Sequence, residues 1–306
     1  VLHALTGERY WWVSIATDII HWLLLPAFPL LGMMLWKRCW WGAALAGVNI
    51  MAFLLFFGGL FLPNISHSGD AEQAITLMTY NAGNDQVAPD ALVTMIYESG
   101  ADIVGLQEIS PSQVALLETQ LNGMFPYHVL YGYGAHSGIG FLSRYPILEE
   151  ELLTLQWASH PHQRATLAIN GRRLTLIVFH PPPPIYDIRP DASYQPLGNT
   201  DIAALAEMAA DRAPTIMLGD LNATSQSVAY GLLRSAGLTD AFQAAGWGFG
   251  ATFPNRMNSI AFLVPLVRID YVWYTDDFRA TRAWVGPDAG SDHLPVLAEL
   301  VWEEMR

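Results

Sequence analysis

Asn81, Glu108, His180, the pair Asp220 and Asn222, and the pair Asp292 and His293 share one property: each stands where a short apolar run of the chain stops or is about to start. Carboxylates and amides offer hard oxygen atoms and hydrogen bonds, and histidine moves protons near neutral pH. One such residue is an ordinary turn former. Repeated at the ends of successive strands, they describe a ligand site, because α/β folds gather their ligands there.

The elements that must carry these residues alternate. Strands are expected at Ala74 to Tyr80, Ile103 to Gln107, Ile139 to Ser143, Ala165 to Ile169, Leu174 to Phe179, Thr215 to Leu218, Arg268 to Tyr274 and Leu294 to Val301. Helices are expected at Pro89 to Ser99, Thr200 to Asp211 and Ser225 to Ser235. A further helix opens on Ser110-Pro111-Ser112-Gln113, a capping box with proline at the first helical position, and closes at Asn122-Gly123. Such alternation is an α/β signature. The only low-complexity tract is Pro181 to Pro184.

Ahead of this region the composition changes. The chain has 306 residues, 52% hydrophobic and only 14% charged, and the surplus sits in two stretches, Trp11 to Trp36 and Trp40 to Leu62. The second has no charged residue over a length that crosses ~30 Å of hydrocarbon as a helix. Both read as membrane spans, a transmembrane helical hairpin over residues 1–62. Asp18 and His21, three apart, fall on one helical face, a spacing that could serve a proton or ion relay. Lys37 and Arg38 occupy the short loop between the spans, and the next basic residue after Leu62 is Arg144. The loop is therefore expected in the cytoplasm. A polar linker at 63–73 then leads to a domain over 74–306, expected on the extracytoplasmic side.

Charge narrows the partners. The net charge is −13; residues 63–306 hold 12 arginines against 26 acids, and Lys37 is the only lysine of the chain. A nucleic-acid binder carries a basic stripe, and none is visible. The single cysteine, Cys39, excludes an intrachain disulfide framework and a cysteine-rich zinc site.

Seven motifs in this order resemble the endonuclease/exonuclease/phosphatase superfamily: Thr79-Tyr-Asn81, Gly105-Leu-Gln-Glu108, Gly138-Ile-Gly-Phe-Leu-Ser-Arg144-Tyr-Pro, Val178-Phe-His180, Gly219-Asp-Leu-Asn222, Arg268-Ile-Asp270-Tyr and Gly290-Ser-Asp-His293-Leu-Pro. That superfamily includes deoxyribonucleases, abasic-site endonucleases, bacterial sphingomyelinases and inositol polyphosphate phosphatases. The resemblance covers roughly residues 74–302. It implies a four-layer sandwich, two β-sheets packed face to face and flanked by helices, and a divalent-metal phosphoesterase site.

It also implies roles. Glu108 would hold Mg²⁺ or Mn²⁺, with Asn81 positioning or sharing it and Asp292 completing the shell. Asp220 would orient or deprotonate the attacking water, and Asn222 would donate to a phosphoryl oxygen. His293 would contact the scissile phosphate, with Asp270 on its other ring nitrogen. His180 would help protonate the leaving group, although the carboxylate expected to orient it has no visible counterpart. Arg144 and Arg164 are candidate phosphate partners, with Arg144 equally able to close a strand turn. In the long connection after the proline run, Tyr186, Arg189 and Tyr194 are candidate headgroup contacts.

The substrate must come from context, since one catalytic set serves many substrates on this fold. Net acidity repels a polyanionic duplex, whereas two spans hold the site near lipid. The arrangement resembles bacterial teicoplanin-resistance membrane proteins, which implies a phosphorylated membrane lipid such as undecaprenyl pyrophosphate. An exported nuclease is the alternative; a membrane-anchored binding protein without turnover is the reading from a different class.

Overall fold

A computed structural model describes residue 8 and residues 11–62, 74–134, 136–184, 197–211, 214–257, 260–261 and 264–303. The expected linker at 63–73 and the residues Tyr186, Arg189 and Tyr194 lie outside these.

The N-terminal segment is helical but is not a pair of straight spans. It comprises α1 (Trp11–Asp18), α2 (Ile20–Leu24), α3 (Ala27–Trp36) and α4 (Trp40–Phe57), the last prolonged by a 3-10 turn, Gly58–Phe61. Among the described residues only Trp40–Phe61 is by itself long and apolar enough to cross a bilayer; the expected span at 11–36 is broken into arms, Trp12–Asp18 and Ile20–Trp36, bent by 66°. Pro26 and Pro29 sit at the N-cap and first turn of α3, where proline is tolerated, so they mark its start. The break at Ile19 falls between Asp18 and His21, which still line one cavity. Each turns to the domain behind it: Thr224 donates to Asp18 Oδ1 at 2.6 Å, and His21 Nε2 meets the Leu266 carbonyl at 3.1 Å. Trp22 Nε1 donates to the same carbonyl at 2.7 Å. Phe249 completes the contact, its ring 4.6 Å from His21, 6.0 Å from Phe57 and 5.3 Å from Phe61.

The rest of the chain forms β1 (Ile75–Asn81), α5 (Pro89–Ser99), β2 (Ile103–Gln107), α6 (Pro111–Gln120), β3 (Tyr127–Tyr131), β4 (Ile139–Ser143), β5 (Ile147–Leu153), β6 (His162–Ile169) and β7 (Arg172–Phe179). There follow α7 (Leu197–Asp211), β8 (Thr215–Asp220), α8 (Val228–Ser235), β9 (Thr239–Asp240), α9 (Ala241–Ala245), a short hairpin β10 (Arg256–Met257) and β11 (Ile260–Ala261), then β12 (Asp270–Tyr274), β13 (Phe278–Val285) and β14 (Val296–Trp302). Two mixed six-stranded sheets result, ordered β13-β14-β1-β2-β4-β3 and β5-β6-β7-β8-β12-β9. Their facing sides share one core, including Leu77, Ile103, Phe141, Leu176, Val178, Leu218, Val272 and Val296. The outer face of the first sheet packs on α5 and α6 through Met78, Val104, Leu92, Ile96 and Leu117. That of the second packs on α7 and α8 through Ile177, Met217, Ile202, Leu205 and Leu233. The layering is helix, sheet, sheet, helix, as expected.

Candidate active site

Strand alternation builds the site. Side chains two apart share a face, so the positions that fill the inter-sheet core, Leu77 in β1, Val178 in β7, Leu218 in β8 and Val272 in β12, put Asn81, His180, Asp220 and Asp270 on that same inner face. Pairing then brings the strand ends level. Asn81 lies beside Gln107 in the parallel β1/β2 pair, Phe179 beside Gly219 in the parallel β7/β8 pair, and Asp270 opposite Asp220 in the antiparallel β8/β12 pair. The apolar core therefore ends, at one end of the sandwich, in a polar cluster. Gly219 allows the close pairing: a Cβ there would stand 2.1 Å from the Phe179 carbonyl oxygen.

Glu108 is out of phase with this pattern, and its backbone corrects it. Its φ is +53°, and Asn84, His136 and Asn222 around the same cleft are also left-handed, at +56°, +67° and +53°. Each such residue costs roughly 1–3 kcal/mol, strain that persists where the surroundings over-determine it. The Gln113 of the capping box supplies part of that constraint, because its Nε2 donates to the carbonyls of Asn84 (2.8 Å) and Val87 (2.9 Å). The same loop presents Gln86, whose Oε1 accepts from Asp292 N at 3.2 Å.

The resulting geometry is compact. Asn81 Nδ2 donates to Glu108 Oε1 (3.1 Å) and Asp220 Oδ2 (3.0 Å), while its Oδ1 accepts from Gly83 N (2.9 Å), which fixes the amide orientation. Asn81 thus positions two carboxylates, with its oxygen turned to Gly83 N. His180 Nε2 lies 3.5 Å from Glu108 Oε1 and 3.7 Å from Asp220 Oδ2. His293 Nε2 is also 3.7 Å from Asp220 Oδ2, and its Nδ1 meets both Asp270 oxygens at 3.0 and 3.2 Å. Asn222 N donates to Asp220 Oδ1 at 2.7 Å, and Asn222 Nδ2 to the Pro181 carbonyl at 2.9 Å, which ties the proline run to the site.

Burial sets the protonation states. It pushes the Asp220 carboxyl up to about 7, against the pull of His293 and with the help of Asp270. It opposes charge on His293 too, but Asp270 and Asp220 overturn that and raise the imidazole to about 10. His180 is held well below the usual histidine range by burial and by His160 and His293 nearby, and is neutral. One atom each of Asp220, Asp270 and His293 lies within 4.8 Å of the others, a spacing open to a metal ion. Asp270 is engaged by His293 Nδ1, and His293 Nε2 lies 3.7 Å from Asp220, so the same triad can also relay a proton. Of the other acids, Glu108 has Oε1 between Asn81 Nδ2 and His180 Nε2 and Oε2 against His136 Nδ1, and Asp292 adjoins His293 in the chain. A hard cation fits that donor set, since it needs few protein ligands besides water.

Not every expected residue converges. Arg144 Nη1 is held by Asp102 Oδ1 at 3.2 Å, at the start of β2 and hence the far end from Glu108, where it closes a strand turn. Arg164 pairs with Glu151 and lies beside Ile177 on the helix-covered face of the second sheet. Neither faces the cleft, because each is taken by an acid on its own sheet. Arg189 is outside the described residues.

Four residues not read from the sequence belong to the surroundings. His136 Nδ1 bonds Glu108 Oε2, and the His160 ring lies 5.3 Å from that of His180. The His180 backbone N–H donates to His162 Nδ1 at 3.2 Å, so His162 carries its proton on Nε2, 3.4 Å from Asp201 Oδ2. Asp201 thus holds the ring of His162, which in turn accepts from the His180 backbone. The signal was there: β6 starts at His162, three residues before the strand expected, so His160-Pro-His162 is one more polar strand end.

The profile of the Endonuclease/Exonuclease/phosphatase family matches residues 78–293. The chain belongs to that family. Its members hydrolyse phosphoester bonds with divalent metals, and the fold recurs in solved structures. An endonuclease/exonuclease/phosphatase family protein from Bacteroides thetaiotaomicron superposes with a TM-score of 0.60 at 20% identity, over 76% of this chain and 99% of that one. A mannosyl-6-phosphatase from the same organism gives 0.58 at 20% identity, over 74% and 100%. TDP2 from D. rerio, complexed with a single-strand DNA product, gives 0.58 at 17% identity, over 74% and 98%. These likenesses establish the fold alone. A search of curated proteins returns no match.

Proposed function

We propose that this endonuclease/exonuclease/phosphatase-family protein is a membrane-anchored phosphoesterase that hydrolyses the phosphate ester or pyrophosphate of a membrane lipid on the extracytoplasmic face. The observation that supports this reading is the junction between the apolar helices and the cleft: Asp18 of α1 accepts from Thr224, two residues beyond Asn222. A reaction centre held that close to apolar helices meets its substrate at high effective concentration when the substrate is itself in the bilayer. The helices suit such a setting. Leu45, Val48, Leu55 and Phe56 of α4 are at least 67% exposed, and Trp36, Trp40 and Trp41 flank Lys37 and Arg38 as an interfacial aromatic belt does. Against nucleic acid, Arg144, Arg164, Arg256 and Arg268 each face an acid, which leaves them poorly placed for phosphate-backbone contacts.

In this reading Glu108 would hold a magnesium or manganese ion with Asp292, and Asn81 fixes the Glu108 carboxylate. When bound, the cation neutralises charge on the non-bridging phosphate oxygens. Asp220, with its carboxyl near neutrality, takes the proton of the attacking water. His293, kept cationic by Asp270, donates to a phosphoryl oxygen. A phosphate beside His180 adds negative charge, which favours its protonated form and prepares it to protonate the leaving oxygen.

The test is phosphate release from a polyprenyl pyrophosphate by the full chain in lipid nanodiscs with Mg²⁺, beside a plasmid-nicking assay. Metal-dependent release that Asp220→Asn abolishes is expected. Nicking without lipid turnover would overturn the reading in favour of a nuclease.

A further inference from the structure

An apolar groove of about 460 Å³, within the size range of ligand pockets, runs between the N-terminal helices and the edge of the first sheet. Trp22, Trp247, Phe249, Ala251, Val264 and Trp284 line it, and no lining residue is charged. Hydrogen bonds and ring contacts fix its position. Trp22 is hydrogen-bonded to Leu266, the neighbour of the lining Pro265. At the mouth, Phe61, the last residue of the long apolar helix, packs 5.7 Å from Trp247 and 5.3 Å from Phe249.

The chain that forms both walls runs on to residues that contact the loop carrying His293. Ala251 precedes Thr252, whose carbonyl accepts from Leu294 N at 3.0 Å, and Phe253, whose ring lies 4.8 Å from that of His293. On the other wall Trp284 and Val285 precede Gly286, whose N–H donates to the Pro295 carbonyl at 2.8 Å. The groove thus lies beside the end of the apolar helix, with both walls continuous in sequence with residues that contact the His293 loop. Its exposed lip, Trp247 at 69% and Val264 at 53%, continues the apolar face of the helices. Aromatic and aliphatic surface left open on a folded domain calls for an apolar occupant.

We propose that this groove is the subsite for the hydrocarbon chain of the lipid substrate, holding the segment next to the phosphate so that the headgroup reaches His293 and Asp220. The assignment rests on the lipid reading of the function. A chain bound there enters from the bilayer end, past Phe61 and Trp247, and the groove selects for a long apolar chain over a short or polar alcohol.

The test uses the full chain in nanodiscs and two groove variants, Val264→Asp, which places a charge on the lip, and Ala251→Phe, which fills the floor. Turnover of a long-chain polyprenyl pyrophosphate is compared with that of a short, water-soluble alkyl pyrophosphate, and binding of dodecyl phosphonate with that of methyl phosphonate. Both variants are expected to raise KM for the long chain and weaken dodecyl phosphonate by about tenfold or more, a loss equivalent to a few buried methylenes, with short-chain kcat and methyl phosphonate binding unchanged. Equal effects on long and short chains, or none, overturn the groove and leave the phosphoesterase reading standing. Groove-dependent dodecyl phosphonate binding without any lipid turnover does the reverse.

Discussion

Asp240 and Asp270 are both fully buried carboxylates, each holding one base, and they differ in what else they hold. Asp240 takes two bonds from the Arg268 guanidinium (3.0 and 2.7 Å), one from Tyr230 (3.0 Å), and caps α9 through Phe242 N and Gln243 N. Arg268 is in turn sandwiched by the rings of Phe242 and Tyr271. Among the described residues the side chain of Asp270 takes only His293 Nδ1, and His293 Nε2 points on to Asp220 beside the cleft. Saturation marks framework, and an open valence marks a reaction centre. Both pairs come from one motif, Arg268-Ile-Asp270, whose first residue braces the sheet and whose third sits in the site.

The largest effect expected from this contrast is catalytic. Asp220→Asn, which keeps the side-chain volume and an acceptor for Asn222 N, should lower kcat by about 10²–10⁴ with the melting temperature nearly kept; His293→Ala should lower kcat by as much but also lower the melting temperature, because it strands the buried Asp270 carboxylate. Activity should rise as Asp220 loses its proton through about 7 and fall as His293 loses its own through about 10. Asp270→Asn removes the charge that raises His293, so the falling limb should move to lower pH. A pH–rate profile unchanged in that variant would show that Asp270 does not act through His293.

The opposite result is expected at the saturated pair. Arg268→Met strands the Asp240 charge and should cost about 3–5 kcal/mol, read as a lower denaturant midpoint. Adding Asp240→Leu removes the stranded charge and should recover most of that loss, less about 1 kcal/mol for the cap. Recovery of nothing would mean that the cap and Tyr230, not the ion pair, carry the cost.

The same physics explains which parts of the fold were legible in the sequence. Central strands alternate cleanly, so their polar ends, Asn81, His180 and Asp220, stand out as soon as the apolar runs are aligned. Six strands escaped: β3, β5, β9 and β13, which are the sheet edges, and the two-residue strands β10 and β11 of the separate hairpin. Edges carry charge and irregularity that blur the period of two. Glu149 to Glu151 run through β5, and β5 and β13 both contain a register shift, after Ile147 and after Ala280. His136 was hidden with them, since it lies between β3 and β4. Arg144 and Arg164 looked free because the acids that hold them, Asp102 and Glu151, are 42 and 13 residues away and meet them only through strand pairing. The bend at Ile19 was likewise invisible, as were the partners of Asp18 and His21, which lie 206 and 245 residues away.

The His162–Asp201 pair lies between the two extremes: fully buried like Arg268–Asp240, yet joined to the site through the His180 backbone. Burial alone would raise the Asp201 carboxyl, but the His162 bond and the Gln156 N–H outweigh it and hold it below the usual carboxylate range. A carboxyl depressed in the folded state contributes stability that is complete above its unfolded value of about 3.9 and is lost as pH falls through the lower folded value. The stability difference between wild type and Asp201→Asn, from denaturant titrations, should therefore be constant above about pH 5 and shrink below about pH 4. His180 should also lose part of its alignment, so kcat should fall by a few fold, far less than in Asp220→Asn. A stability gap that widens on acidification would assign the pair the wrong sign, and an unchanged kcat would return it to the framework, on the same side of the comparison as Arg268 and Asp240.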